Sequence, residues 1–363
     1  MRIRTLLLVA AALATALVGT SRAADLTAGM QKGTPELKSA GPATFAPQGI
    51  LLVGDTQGAT IFAIATGDKP SGSASQPLNV EKIDEKIAGL LGTTAQQILI
   101  NDLAVNPETG NTFLTVSRGK GPEAKPAIIR VEPSGKLGEL ALKDVTFSQA
   151  ALPNAATSEK GRQDVTTDIQ FAGGQVIVAG LSNEEFSSQL RVIPFPFGAV
   201  EKGTSVEIYH GAHGIFETKA PVRTFAVFDI GGQPNVLAAY TCTPLVKFPL
   251  SDLKPGSKVK GTTVAELGNR NRPLDMIVYK SGDKDYLLMA NSARGVMKVS
   301  VENIDKTDGI VAPVKGGGTQ GLPYETISAL KGVEQLDRLD KDHALLLVRG
   351  DGGSLNLQAI NLP

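Results

Sequence analysis

The feature that most limits what this chain can fold into is a repeat. One apolar, strand-like run returns six times: ILLVGD at 50–55, TFLTVSR at 112–118, QVIVAGL at 175–181, NVLAAYT at 235–241, YLLMANS at 286–292 and ALLLVRGD at 344–351. Counted from Leu51, Phe113, Val176, Val236, Tyr286 and Ala344, the spacings are 62, 63, 60, 50 and 58 residues. Self-similarity at a near-constant period points to stacked units, each too small to bury its own apolar face.

Each run has companions. About ten residues upstream lies a second short strand, often opened by an acid: NDLAV at 101–105, TDIQF at 167–171, TFAVF at 224–228, LDMIV at 274–278 and QLDRL at 335–339. A third follows downstream, as TIFAIA at 60–65, AIIRVEP at 127–133, QLRVIPF at 189–195, LVKFPL at 245–250, VMKVSV at 296–301 and LNLQAI at 355–360. A weaker fourth closes most copies: LNV at 78–80, LKDVTF at 142–147, SVEIY at 205–209 and TTVAEL at 262–267. Turn residues separate them, among them Gly173-Gly174, Gly231-Gly232 and Gly352-Gly353. The 40 glycines and 21 prolines of the 363-residue chain suit such a turn-rich design.

Four short antiparallel strands, repeated, predict an all-β fold: a β-propeller of six blades, or seven if one long unit hides a degenerate blade. Radial stacking covers both faces of each twisted sheet and leaves only short edges. The last copy ends after three strands, so the stretch 25–43 is expected to lend the fourth and close the ring. One segment departs from the β pattern. In the run 80–98, Val80, Ile83, Ile87, Leu90 and Leu91 fall near helical spacing, which predicts a short helical insertion between blades one and two.

The strand quartets behind an apolar leader resemble the secreted bacterial β-propellers that carry YVTN-type and NHL-type repeats. The resemblance covers nearly all of the chain after the leader and implies architecture rather than activity. The Trp-Asp signature of WD repeats is absent, and a chain with no tryptophan lacks the tryptophan-docking motifs of quinone-binding propellers.

The leader itself reads as an address. Arg2 and Arg4 precede thirteen uncharged residues at 6–18, and Ser21-Arg22-Ala23 offers small residues for cleavage. Residues 1–23 are therefore expected to be a secretory signal peptide and 24–363 a single propeller domain. The apolar run is shorter than the roughly twenty residues a membrane span needs, so no membrane insertion is expected after cleavage. The expected destination is the periplasm or the extracellular space, with the chain a monomer. The 36 basic and 36 acidic residues cancel, which argues against nucleic acid as partner. A single cysteine excludes an internal disulfide framework.

Function is sought on the face shared by the loops entering each inner strand and those joining the second and third strands. Three groups stand out there. Asp102, Asp168 and Asp275 open three inner strands, with Thr224 and Gln335 or Asp337 near the same place in two others. Converging carboxylates suit Ca²⁺ or a shared proton, while acids at strand starts also cap their own turns. Arg118, Arg270, Arg272, Arg294 and Arg349 would suit an anionic or carbohydrate ligand. The third group is Tyr209-His210-Gly211-Ala212-His213-Gly214, followed by Glu217 and Arg223. Two of the chain's three histidines lie three apart here. With a nearby carboxylate they suit Zn²⁺ or Cu²⁺, and Cys242 in a loop of blade four is expected to complete a His210, His213 and Cys242 metal site. The expectation is a secreted binding propeller with a small-molecule or protein ligand at the channel mouth. Its alternative is a metal-dependent enzyme on that face, hydrolytic and lactonase-like or redox-active.

Overall fold

The computed structural model describes residues 25–70, 78–242 and 244–363. The expected signal peptide lies outside the described residues. Among the described residues, twenty-eight strands build six sheets, and each sheet contains an antiparallel ladder of four or more strands. The fold is a six-blade β-propeller, as the repeat predicts.

Blades are numbered here by the chain order of their inner strands: Ala43–Ala46, Ile98–Val105, Asp168–Ala172, Val222–Ile230, Pro273–Ser281 and Val333–Arg338. The second strands coincide with the apolar runs of the sequence, and their alternate residues are covered on both sides. Ile50–Asp55 is buried at every position, and Leu345, Leu346 and Leu347 have no exposed surface. Both faces of these strands pack against neighbouring sheets, so alternation gives way to continuous apolar runs. The core is accordingly a set of clusters at the blade seams. The largest joins blades three, four and five through residues such as Leu190, Phe225, Tyr240 and Met289.

The ring does not follow chain order. Inner-strand contacts run one, three, four, five, six, two and back to one. After three strands of blade one, the chain crosses to blade six, where Asn79–Val80 adds as the outer strand beside Leu355–Asn361. It then builds blade two, whose outer strand is Leu137–Glu139. It next returns to blade one with Val145–Ala151, which pairs along Thr60–Ala65. Only then does blade three begin.

Three expectations change as a result. The LNV segment closes blade six, not blade one. The segment ending in Phe147 completes blade one, not blade two. The closing strand does not come from the N-terminal stretch, where Gln31–Gly33 instead forms the outermost strand of blade one. An edge strand offers the same backbone groups to any open sheet edge, so strand pattern alone does not choose the sheet.

The crossing is tied down by Asp68. Its carboxylate accepts hydrogen bonds from Asn106, Thr109 and Asn111 and pairs with Arg130, all of blade two. The predicted helix forms at Ile83–Leu90 and sits between the crossing strand and blade two. It buries Ile83 and Ile87 but leaves Leu90 exposed. Asp84, inside the helix, accepts the Leu355 N–H of blade six and fixes the helix to that blade. Among the described residues, no helix is long and apolar enough to cross a membrane.

Candidate functional site

Two places bring chemistry together. The first is the channel. Asp102, Asp168, Asp275 and Asp337 line a polar cavity of about 230 Å³ between the inner strands. Each uses its carboxylate in the same way. One oxygen accepts the N–H of the following residue: Leu103, Ile169, Met276 and Arg338 at 2.6–2.8 Å. The other accepts an N–H from the next blade: Ala43, Phe225, Leu336 and Val105 at 2.7–2.8 Å. The links run two to one, three to four, five to six and six to two, each between ring neighbours. Asp337 sits two residues deeper than Gln335, which follows the bulge of its strand as Asp102 and Asp275 follow theirs. Its link lies one pleat repeat further down the channel.

These acids are staples between blades. Burial pushes all four upward. Asp168 rises to about 7 and Asp337 to about 6. Asp102 and Asp275 stand well above the usual carboxylate range, raised by burial and by the charges of the other aspartates across the channel. Asp102, Asp168 and Asp275, each within a strand, thus accept the next residue's N–H and one from a neighbouring blade rather than capping a turn of their own.

The basic group is dispersed. Arg118 donates to the carbonyl of Leu91 at the end of the helix. Arg294 donates to the carbonyl of Asn269. Arg349 forms a two-point ion pair with Glu334 and donates to the Gly353 carbonyl. None of the three lines the channel cavity, where the basic side chain present is Arg338.

The second place is the outer rim at the seam of blades three and four. Thr204–His210 is the fourth strand of blade three, and it turns through four residues into Ile215–Glu217. The turn is helical in character: His213 and Gly214 both return their N–H to the carbonyl of His210. Residues three apart on such a turn lie on one side, so the imidazoles of His210 and His213 stack with centroids 3.8 Å apart. Hairpin pairing sets Ile208 opposite Glu217, which brings its carboxylate under both rings. Glu217 Oε2 lies 3.0 Å from His210 Nδ1, and Oε1 lies 2.6 Å from His213 Nδ1. Burial alone would raise Glu217, but its bonds to the two histidines hold it below the usual glutamate value.

Among the described residues, His210, His213 and Glu217 form the group of three metal-ligating side chains whose donor atoms all lie within 4.8 Å of one another. Cys242 does not belong to it. That residue sits in the turn before Pro244–Pro249 with φ of 64°, and its N–H bonds the Asn271 carbonyl next to blade five. The turn holding Cys242 faces the seam with blade five, whereas the histidine hairpin faces blade four's outer edge. Two loops that flank one blade in the chain therefore end on different seams, and the thiol stays apart from the imidazoles.

The outer edges of blades three and four are joined at this place. Lys258–Lys260 runs parallel to the histidine strand, and Thr263 donates to the carbonyl of Tyr209. This brings Glu266, in the strand Thr262–Leu267, against the histidine turn. Its Oε1 accepts the Gly211 N–H at 2.5 Å. A side chain at Gly211 would come within 3.0 Å of the Glu266 carboxylate, so the close approach requires glycine there. Burial raises Glu266, against the pull of His210 and of the N–H groups of Gly211 and Ala212. Sequence reasoning missed Glu266. Its signal was an acid inside the otherwise apolar end of TTVAEL, at a position where a strand buried on both faces should be apolar.

No protein-family profile matches this chain, and no curated protein matches it. Solved structures with a similar overall arrangement include a putative glucose dehydrogenase from Thermus thermophilus. It shares 13% identity over 92% of this chain and 100% of its own, with a TM-score of 0.37. The PQQ-bound aldose sugar dehydrogenase of Streptomyces coelicolor gives 13% identity, coverage of 91% and 96%, and a TM-score of 0.36. A putative gluconolactonase gives 10%, 92% and 93%, and 0.31. Likeness at this level carries nothing about activity.

Proposed function

We propose that this propeller is a metal-binding protein whose working centre is the rim site at the seam of blades three and four. His210, His213 and Glu217 are its ligands, and the ion is divalent and of the zinc or copper kind. The observation that carries the reading is the meeting of two imidazole Nδ1 atoms with the two oxygens of one carboxylate, at 3.0 and 2.6 Å. Two nitrogens and one carboxylate suit zinc and copper, whereas calcium selects oxygen ligands. Three protein ligands leave a coordination position for a water or a substrate group. That position lies on the side of His213, whose side chain is 49% exposed while that of His210 is 3% exposed.

The reading departs from the channel as the place of function. There the carboxylate oxygens hold backbone N–H groups of adjoining blades, which favours a structural role. A metal-dependent hydrolytic or redox activity would use the rim centre as well. Export through the leader at 1–23, a monomeric state and kinship with the YVTN-type and NHL-type propellers belong to the same reading.

The test is zinc and copper titration of metal-stripped protein, followed by calorimetry and elemental analysis. One equivalent should bind, and His210→Ala should weaken binding at least about 100-fold, the scale expected when a ligand itself is lost, above the roughly 10–100-fold of an outer partner. Wild-type protein that takes up neither ion would refute the proposal.

A further inference from the structure

The histidine hairpin ends in a strand that is paired on one side only. Ile215–Glu217 comes last in the order of its sheet and bonds to Thr204–His210. Among the described residues no strand pairs with its other side, and just past its end the Thr218 carbonyl accepts the Ser188 N–H. An edge strand presents unpaired N–H and C=O groups to any chain that can lie alongside. Successive side chains of a strand point to opposite faces. Ile215 is 54% exposed and Phe216 is 46% exposed, so the strand is open on both faces. Native edges are commonly blunted by charge, by proline or by a covering loop. This one carries two consecutive apolar residues, and its single acid, Glu217, is turned to the two histidines. Two ammonium groups flank it. Lys260 Nζ lies 3.6 Å from the centre of the Phe216 ring and 4.0 Å from the Glu207 carboxylate. Lys219, two residues past the strand, is exposed.

We propose that this edge docks an extended, acidic peptide segment as an added strand. The free backbone groups select an extended chain, Ile215 and Phe216 take its apolar side chains, and Lys219 and Lys260 take its carboxylates. The inference rests on the metal reading above for one further point: the group that fills the open coordination position is a carbonyl oxygen of the docked peptide. Glu217 is both a ligand and a residue of the edge strand, and the exposed His213 stands two residues before that strand. A chain laid along 215–217 therefore passes the open side of the centre. Three residues form few main-chain bonds, so the edge by itself binds weakly and the ion supplies the rest of the affinity.

The test uses the full chain and a blocked hexapeptide of alternating aspartate and valine. The peptide is titrated by calorimetry into zinc-loaded and metal-stripped protein. Zinc-loaded protein should bind one peptide, and amide exchange of residues 215–217 should slow. Stripping the zinc should weaken binding at least about 10-fold. A fully N-methylated form of the peptide keeps the side chains and charge but has no main-chain donor, and it should bind at least about 10-fold more weakly. Equal binding of the two peptides is what plain charge attraction, or capture of zinc by the peptide carboxylates, would give, and it overturns the proposal. Amide exchange at 215–217 that does not change on binding overturns it too. Protein that binds zinc but not the peptide refutes the docking and leaves the metal reading standing. Protein that takes up no zinc yet binds the peptide through its main-chain donors refutes the metal reading, and with it the coordinated carbonyl, while the docking edge stands.

Discussion

Replacing Asp168 with asparagine tests the staple account of the channel most directly. Asp168 links blade three to blade four through the Phe225 N–H, and its carboxyl is raised from 3.8 to about 7, chiefly by burial. A group whose folded pKa lies above its unfolded value favours the folded state while protonated. That contribution is fully present below pH 3.8 and is lost as pH rises through 7. Between pH 5 and pH 8 the loss for this one carboxyl is on the order of 1–3 kcal/mol, with partial contact with channel water allowed for. The asparagine side chain does not ionise. It has one oxygen for two N–H donors, so the variant should be less stable than wild type at pH 5 by about 1–3 kcal/mol. As pH rises to 8, wild type should lose stability relative to the variant, and the gap should close or reverse. For a domain of this size the relative change amounts to about 2–4 °C in melting temperature. Loss of the Asp168 charge also lowers Asp102 and Asp275, whose carboxyls it pushes up, which acts in the same direction. The assay is urea unfolding of both proteins at pH 5, 6, 7 and 8. A stability difference that does not vary with pH, or that widens in favour of wild type as pH rises, would refute the account.

Other outcomes follow from the same geometry. Asp68→Ala removes the acceptor that holds Asn106, Thr109, Asn111 and Arg130 to the crossing segment. It should destabilise by about 3–5 kcal/mol and speed amide exchange around residues 106–111. In Gly180→Ala the new Cβ would overlap the carbonyl oxygen of Val165, a backbone atom that cannot step aside. Soluble yield should collapse, or stability should fall by at least about 3 kcal/mol; a protein as stable as wild type would count against the local packing. Cys242→Ser should leave zinc affinity unchanged, because the cysteine is not among the converging ligands. A weakened site in that variant would restore the thiol as a ligand.

Much of this molecule is readable from residue order, and the reason is locality. Strands such as ILLVGD and ALLLVRGD are apolar at consecutive positions because both sheet faces are covered, and that demand is written in each strand separately. Six copies at a near-constant spacing therefore specify six blades. His210 and His213 sit on one turn and Glu217 on the strand it leads into, so a single hairpin assembles them and its composition announces them. What the order of residues leaves open is pairing across distance. The segment at 78–80 suits any open edge, and only the tie of Asp68 to blade two and the open side of Leu355–Asn361 send it to blade six. The channel aspartates look the same in sequence whether they await a cation or hold a neighbouring blade. In the folded ring their oxygens accept the N–H groups of Ala43, Phe225, Leu336 and Val105, each from a different part of the chain. Glu266 reaches the histidine turn because the outer edges of two blades are zipped together. Hydrogen-bond partners and desolvation depend on what packs alongside, and in a ring of sheets that neighbour is set by the closed architecture rather than by the adjacent residue.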